Sequence, residues 1–206
     1  SSSGSGVSVA ANYAVAALGS ETSGSILSPS AKNAVVGLKP TIGMVSRTGI
    51  VPISSSLDTS GPMTKNVTDN AILLDAISAV DKKDSITLAA PRLTLFLEVT
   101  KQTSLKGVRL GAIVSLVESD SLYKDAIDNL KRAGAEVVEI SPPTISLSGF
   151  TNILNGDMKR DLPAYFSTAS TSSFSNLDVQ QITNFNSSDS LLHMPYNQVR
   201  LDGVIA

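Results

Sequence analysis

A short loop rich in glycine and serine is the part of this sequence whose residue types and spacing point most directly to chemistry. The loop Gly19–Ser25 follows a short apolar run and precedes a helical pattern. Consecutive backbone N–H groups in such a loop converge on one concavity, where they bind a phosphate or the oxyanion of a tetrahedral intermediate. A phosphate-binding loop needs a lysine after its glycines, and none follows here. The oxyanion is therefore favoured over the phosphate, and a purely structural turn is the plainer alternative.

A serine in this loop becomes a nucleophile only if a base lies close to it. The single histidine is His193, which stands in a polar segment beside Met194 and Pro195. With an aspartate it could complete a Ser-His-Asp triad, but no convincing Gly-x-Ser-x-Gly elbow leads from a strand into a helix. We therefore expect a structural role for His193 and a base other than histidine.

The elements that must position the loop follow from the periodicity around it. Small residues dominate residues 5–15, which predicts a tightly packed, buried helix, and the run 16–18 predicts a strand. Residues 19–30 are polar and predict a loop. A short helix is predicted to begin at Pro29 and to contain residues 31–36.

Further along the chain, the pattern predicts an α/β fold. Residues 71–80 have apolar side chains near helical spacing and predict a helix, which a loop over 81–91 follows. A strand over 107–114, an amphipathic helix over 121–133 and a strand over 136–140 come next. Such a unit predicts a parallel strand pair joined by a right-handed crossover.

Length and composition limit the classes of protein to which the chain can belong. Its 206 residues are enough for one substantial core or two small domains, and helices and loops are expected from Phe150 onward. The net charge of -2 is spread along the chain, which does not favour a nucleic acid partner. The sequence has no cysteine for a disulfide or thiolate metal site and no apolar run that could span a bilayer. Taken alone, Ser1–Gly6 also fits a flexible linker or a tag remnant.

A series of short blocks in the first part of the chain resembles the amidase signature family. That family carries Gly-Gly-Ser-Ser-Gly-Gly-Ser, then an Ala-rich helix, then Gly-Thr-Asp-Thr-Gly-Gly-Ser-Ile. The corresponding segments here are Ser1–Ser5 and Ala17–Ile26, followed by Val35–Thr41, Val45–Pro52, Leu57–Thr64 and the helix start Val67–Leu74. An ordered series of this kind is more specific than any single motif. Three later segments are similar to bacterial amidases that include peptide amidases: Lys159–Leu162, Ile182–Asn186 and Met194–Tyr196.

The resemblance implies a Ser–cis-Ser–Lys triad in a hydrolase of linear amides. Ser25 is the implied nucleophile, which attacks the amide carbonyl and forms an acyl-enzyme. Ser1 is the implied relay between the nucleophile and the lysine, because its spacing from Ser25 matches the family pattern without a gap; Ser2 would need a gap and is the runner-up. The implied oxyanion hole is formed by the backbone N–H groups of Thr22, Ser23, Gly24 and Ser25.

The lysine of the implied triad has no counterpart at a matching position. In the family it lies well upstream of the Gly/Ser block, whereas Lys32 and Lys39 both follow the nucleophile. A neutral lysine would be the general base that takes the proton through Ser1. We therefore expect that the chain is a fragment, that a missing N-terminal segment supplies the lysine, and that the chain alone has little or no turnover.

The resemblance also implies a fold and a set of partners. An α/β fold is expected, with a mixed central sheet covered by helices on both faces and incomplete here. Residues 1–206 are expected to form one partial domain, with 1–75 as the signature core and 76–206 as the remainder and covering helices. No metal or organic cofactor is expected. The expected partner is a small-molecule or peptide amide, without nucleic acid or membrane; a homodimer is left open, and the expected location is cytoplasmic.

Some positions depart from the family pattern and leave the substrate open. Glu21 stands for an aspartate, Ser23 for a glycine, and Leu27 for an arginine that many members carry. Two other functions therefore stay as alternatives: a glutamine-hydrolysing amidotransferase subunit, and a truncated amidase domain without catalysis.

Overall fold

The helices and strands of the chain run through residues 1–90, 95–169 and 173–206, the parts that the computed structural model describes. The helices are α1 (Ser3–Ala10), α2 (Leu27–Lys32), α3 (Val67–Ile77), α4 (Phe96–Val99), α5 (Val114–Ser119), α6 (Ser121–Arg132), α7 (Phe150–Ala169), α8 (Val179–Ser188), α9 (Ser190–His193) and α10 (Val199–Ile205), with a 3-10 helix over Ser85–Leu88. The strands are β1 (Ala16–Glu21), β2 (Val36–Gly37), β3 (Thr59–Thr64), β4 (Arg109–Ile113) and β5 (Glu136–Ile140).

The described chain divides into two units, and each has its own small sheet. One unit contains Ser1–Phe96 and Ser148–Ala206, and the other contains Leu97–Leu147. The first has a three-stranded antiparallel sheet in the order β1-β3-β2, and the second has the parallel pair β4-β5. Helices combined with antiparallel and parallel strand pairs confirm the predicted α/β class.

Strand β3 lies at the centre of the first sheet, and every one of its residues is buried. In its pairing with β1, Gly61 stands opposite Gly19. A Cβ added at Gly19 would lie 2.9 Å from both the Ile26 side chain and the Met63 sulfur, which is closer than real Cβ contacts. The absence of a side chain at Gly19 therefore lets the turn after β1 pack directly on the sheet.

Helix α1 and strand β1 differ from the predicted bounds. The helix predicted over residues 5–15 begins earlier and ends at Ala10, because Asn12 has a positive φ of 64° and turns the chain. Its first turn attaches to β1 through the Ser5 hydroxyl, which donates to the Leu18 carbonyl at 2.8 Å. The alternative of a flexible linker at the start of the chain is therefore wrong. The predicted strand is longer than expected and includes Gly19, so the first half of the predicted loop is strand.

Helix α2 corrects the prediction of a helix from Pro29 with residues 31–36 inside it. The helix begins at Leu27, whose N–H donates to the Glu21 side chain, and it ends at Lys32. The residues after it leave the helix because β2 pairs with β3. Pairing between distant strands has prevailed here over the local helical pattern.

The predicted strand–helix–strand unit is present in the second unit. Strands β4 and β5 are parallel, with Arg109 opposite Glu136 and Ile113 opposite Ile140. Helix α6 lies between them in sequence, and the carboxylate of Asp120 caps it by accepting from two backbone N–H groups. The parallel pairing and the helix are confirmed.

The C-terminal part of the chain is helical, as predicted. Helices α7, α8 and α10 share an apolar cluster formed by Met158, Leu162, Val179 and Val204. Helix α3 confirms the predicted helix at 71–80 with an earlier start, and the predicted loop over 81–91 contains a 3-10 helix; Pro91 lies outside the described residues. None of the described helices has the length and apolar character needed to cross a membrane.

Candidate active site

Ser25 lies in the turn that joins β1 to α2, which we call the Ser25 turn (residues 22–26). Gly24 has a positive φ of 79°, a conformation that favours glycine, and no atom lies within 4 Å of the position where its Cβ would be. Its carbonyl accepts from the Ser28 N–H at 2.8 Å. Ser25 itself is half-buried, and its hydroxyl has no hydrogen-bond partner among the described residues.

A buried carboxylate holds the end of the Ser25 turn. One oxygen of Glu21, Oε2, accepts from the Ile26 N–H at 2.8 Å and from the Leu27 N–H at 3.0 Å. Glu21 is only 3% exposed. Because these two N–H groups directly follow Ser25, the contacts fix the direction in which the chain leaves the nucleophile position.

The N–H groups at the start of the turn have no such acceptor. In the parts of the chain that the structure describes, no protein atom accepts a hydrogen bond from the backbone N–H of Thr22, Ser23, Gly24 or Ser25. Four successive donors of this kind are what an oxyanion hole requires. The residues predicted to form the hole therefore have their donors available beside the predicted nucleophile.

The N-terminal segment contacts the Ser25 turn through Ser2. The Ser2 N–H donates to the Ser25 carbonyl oxygen at 2.9 Å. The Ser2 hydroxyl is bound to the Ser20 backbone, donating to its carbonyl at 3.0 Å and accepting from its N–H at 3.0 Å. Ser1 is exposed, and its hydroxyl has no partner among the described residues. The structure thus brings the Ser1–Ser2 segment to the nucleophile and leaves only the Ser1 hydroxyl unused.

A second buried carboxylate holds the other side of the turn. Asp58 accepts from the Thr22 hydroxyl through Oδ1, and its Oδ2 accepts from the N–H groups of Ile53 and Ser54, each at 2.9 Å. Asp58 is buried. It therefore links the Ser25 turn to the loop that precedes β3.

Helix α7 closes that loop from the far end of the sequence. Its Asp157 accepts from the Ser54 hydroxyl, and its Asp161 accepts from the Ser55 N–H at 2.7 Å. Arg160 binds both aspartates, at 2.8 Å and 2.7 Å. The hydrogen bond from Ser54 is the largest cause that lowers the pKa of Asp157, which keeps that carboxyl an acceptor.

A cavity of about 350 Å³ lies beside this loop. Its apolar wall includes Ile50, Pro52 and Tyr165, and Asp58 is one of its polar residues. It is large enough for the side group of a small organic substrate. Because Asp58 also binds the Ser25 turn, the cavity is connected to the predicted site by a single hydrogen bond.

An ion pair on the same cavity fixes the loop that follows β2. The Arg47 side chain binds Asp84 through two nitrogens, at 2.7 Å and 2.9 Å, and its backbone N–H adds a third contact at 2.9 Å. Hydrogen bonding to Arg47 lowers the pKa of Asp84, and the same pairing raises the pKa of Arg47. This pair gives the wall of the cavity a rigid polar corner.

No described lysine takes the place of the missing base. Lys32 is exposed at the end of α2, and the Lys39 Nζ lies 3.4 Å from the Pro40 carbonyl. Across residues 1–90, 95–169 and 173–206, no lysine forms a hydrogen bond with Ser1 or Ser25. The need for a lysine from elsewhere therefore stays a prediction.

His193 makes contacts of the structural kind that the sequence favours. Its ring stacks on Phe185 with centroids 4.3 Å apart, and its Nδ1 lies 3.1 Å from the Phe185 carbonyl.

Sequence reasoning missed the residues that support the site, above all Glu21 and Asp58. The sequence marks Glu21 only as a departure from a family pattern. An acidic residue at the end of a strand and a few residues before a helix is a signal for a helix-capping carboxylate. The contacts of Asp58 carry no such local signal because its partners are distant in sequence.

Comparison with known proteins agrees with this geometry. The sequence profile of the Amidase family matches residues 1–192, and the chain belongs to that family. A glutamyl-tRNA(Gln) amidotransferase subunit of Synechococcus elongatus is 41% identical over 182 residues, which cover 86% of this chain and 34% of that protein.

Solved structures show the same fold. Native peptide amidase from Stenotrophomonas maltophilia matches with a TM-score of 0.87 and 37% identity, over 100% of this chain and 44% of that chain. The corresponding glutamyl-tRNA(Gln) amidotransferase subunit from Thermotoga maritima matches with a TM-score of 0.65 and 30% identity, over 97% of this chain and 44% of that chain. The fold is the amidase signature fold. The chain spans 34% of the length of each of the first curated relatives it matches.

Proposed function

We propose that this chain supplies the nucleophile and the oxyanion hole of an enzyme that hydrolyses a linear carboxamide. The observation that carries the proposal is the arrangement of the Ser25 turn. Glu21 and Ser2 bind the backbone groups around and after Ser25, while the N–H groups of residues 22–25 keep no protein acceptor among the described residues. Donors arranged in advance around a developing negative charge are the largest single contribution in many acyl-transfer enzymes.

The reaction proceeds through an ester on Ser25. The Ser25 Oγ attacks the amide carbonyl carbon, and its proton passes through the Ser1 hydroxyl to a neutral lysine. The carbonyl oxygen becomes an oxyanion held by the N–H groups of residues 22–25. When the carbon–nitrogen bond breaks, the lysine returns the proton through Ser1, and ammonia or an amine leaves. Water then attacks the ester, releases the carboxylate product and restores the Ser25 hydroxyl.

The lysine in this scheme comes from a segment outside the 206 residues. The proposal includes that segment as a partner and predicts that residues 1–206 alone turn over little or no substrate. Every step uses only water and protein groups, so the scheme requires no metal or organic cofactor. A cytoplasmic location and the open homodimer stay predictions.

Peptide amides are the favoured substrate class, and glutamine is the second candidate. The TM-score of 0.87 with a peptide amidase, against 0.65 with an amidotransferase subunit, supports the first. The 41% identity to an amidotransferase subunit favours the second. Release of ammonia from a C-terminal peptide amide, compared with release from free glutamine, separates the two substrate classes.

Labelling by a fluorophosphonate tests the proposal in the full-length gene product. Such a probe forms a covalent bond with an activated serine, so mass spectrometry is expected to find the adduct on Ser25 and to find none in Ser25→Ala. Ser28→Ala is the matched control, because Ser28 is exposed on α2 and its hydroxyl has no partner among the described residues. Labelling of the control is expected to equal that of the wild type. An unlabelled wild-type protein would reject the hydrolase proposal in favour of a domain without catalysis.

A further inference from the structure

Glu21 holds a buried charge directly beside the proposed nucleophile. Its carboxylate is 3% exposed, and none of the ion pairs among the described residues involves it. Burying a carboxylate without a cationic partner is unfavourable unless hydrogen bonds offset the lost hydration. The hydrogen bonds that offset it here come from the backbone N–H groups of Ile26 and Leu27, at 2.8 Å and 3.0 Å.

These two N–H groups continue the series that begins with the predicted oxyanion hole. Within the described parts of the chain, residues 22–25 have donors without a protein acceptor, and residues 26 and 27 have donors that Glu21 occupies. The boundary between free and occupied donors therefore falls immediately after Ser25. A carboxylate at this position binds the far side of the turn and leaves the near side to the substrate.

We propose that Glu21 is a positioning residue for the reaction of Ser25. The proposal rests on the proposed amide hydrolysis. The carboxylate fixes the Ser25 turn by its bonds to Ile26 and Leu27, and this sets the direction of the preceding N–H groups toward the oxyanion. Donors of an oxyanion hole act only within about 2.7–3.1 Å of the oxyanion position. A turn released from Glu21 loses that geometry although every residue of the hole is still present.

The charge of Glu21 is not the useful part of its contribution. A negative charge near a developing oxyanion raises the energy of the transition state in a site of low dielectric. What the reaction uses is the acceptor oxygen at a fixed place. Glutamine has the same length and a carbonyl oxygen, so Glu21→Gln is expected to keep the turn, whereas Glu21→Ala removes the acceptor.

The test compares the two variants by kcat for each labelled active site in the full-length gene product. Glu21→Ala is expected to lower kcat by about 100-fold, the usual effect of disturbing an oxyanion-hole donor, with little change in KM because no substrate contact is removed. Glu21→Gln is expected to stay within about tenfold of the wild type. A purely structural role would lower the fraction of folded protein and leave kcat for each active site unchanged.

Asp178 provides the matched control. Its carboxylate accepts from the Gln181 N–H at 2.8 Å and caps α8, as Glu21 caps α2, but it contacts no residue of the Ser25 turn. Asp178→Ala is expected to keep the wild-type kcat for each active site.

Amide hydrogen exchange gives a readout that does not depend on activity. The Ile26 and Leu27 amides are expected to be protected in the wild type and in Glu21→Gln, and to exchange faster in Glu21→Ala. Unchanged exchange in Glu21→Ala, or unchanged kcat for each active site, would overturn the positioning role. A wild-type protein that does not label at Ser25 would instead reject the proposed hydrolase function on which this role rests.

Discussion

The backbone N–H of Ser2 donates to the carbonyl oxygen of Ser25 at 2.9 Å, so the two serine segments are joined through the main chain. A side-chain substitution at Ser2 leaves this bond in place. The two neighbouring hydroxyls differ, because that of Ser2 is bound to the Ser20 backbone and that of Ser1 has no partner in the described parts of the chain. The contact therefore assigns anchoring to Ser2 and supports Ser1 as the relay.

Replacing Ser1 by alanine is expected to slow labelling of Ser25 by at least about 100-fold, because proton transfer contributes about 10²–10⁴ to such rates. The measurement is the rate of fluorophosphonate labelling in the full-length gene product. Ser2→Ala is the matched control and is expected to stay within about tenfold, with a loss of stability of about 1 kcal/mol for its hydroxyl contacts. The reverse order of the two effects would make Ser2 the relay.

Gly19→Ala is expected to lower the free energy of unfolding by about 1–3 kcal/mol, the usual cost of overpacking. The added methyl group would lie 2.9 Å from Ile26 and Met63 and push the Ser25 turn away from the sheet. Urea unfolding measures the change, and labelling of Ser25 is expected to slow as well. Gly156→Ala on α7 is the control, because nothing lies within 4 Å of its Cβ position; it is expected to stabilise by about 0.5–1 kcal/mol. Equal effects at the two glycines would contradict the close approach.

Asp58→Asn is expected to lower the free energy of unfolding by about 2 kcal/mol and to slow the labelling of Ser25. The amide can keep one oxygen for the Thr22 hydroxyl, but its NH₂ group would face the N–H groups of Ile53 and Ser54. Urea unfolding tests the change. Asp128→Asn is a suitable comparison, because Asp128 is half exposed in a 3.9 Å pair with Lys131 and such pairs contribute less than about 0.5 kcal/mol. Labelling of Asp58→Asn at the wild-type rate would show that the Ser25 turn does not depend on this carboxylate.

The pair of Arg47 and Asp84 predicts a loss of stability in acid. The pKa of Asp84 is lowered in the folded state from 3.8 by its bonds to Arg47, so its contribution is present above that value and is lost as pH falls through the folded value. Urea midpoints of the wild type and Asp84→Asn are therefore expected to differ at neutral pH and to converge in acid. The hydroxyls of Ser46 and Thr48 lower the pKa of Asp81 to about 2, so its contribution persists to lower pH.

Asp125→Asn is the control for this pH dependence, because Asp125 is exposed on α6. Its urea midpoint is expected to follow that of the wild type at every pH. A gap between the wild type and Asp84→Asn that keeps its size in acid would mean that the pairing with Arg47 does not stabilise the folded chain.

Residues 1–206 alone are expected to release little or no ammonia from a C-terminal peptide amide, because no described lysine binds Ser1 or Ser25. The full-length gene product is expected to be active on the same substrate. Robust turnover by residues 1–206 alone would show that the base lies within this chain.

The Ser25 turn and the elements before it were predictable to the extent that their signals are local. Helix α6 and strands β4 and β5 follow from apolar periodicity and from a capping residue such as Asp120. The end of α2 was missed, because Val36 leaves the helix to pair with a strand about thirty positions away, opposite Thr64. Local propensity carries no information about such a partner.

The candidate site shows the same division between local and distant signals. The nucleophile position and the oxyanion loop were named from a short motif series, and no finding contradicts them. The supporting carboxylates were not found, because Asp58 and Asp157 acquire their roles only when distant segments meet. A pattern of polar residues in sequence cannot show which of them will share a hydrogen bond.

The contact between Ser54 and Asp157 spans 103 positions of the chain, and this has a consequence during protein synthesis. The loop that supports Thr22 through Asp58 is closed only after α7 has left the ribosome. At about 5–20 residues per second, translation of the intervening stretch takes at least about five seconds. The nascent polypeptide therefore carries its reactive serine for that time without a finished scaffold, and chemical competence arrives late in its production.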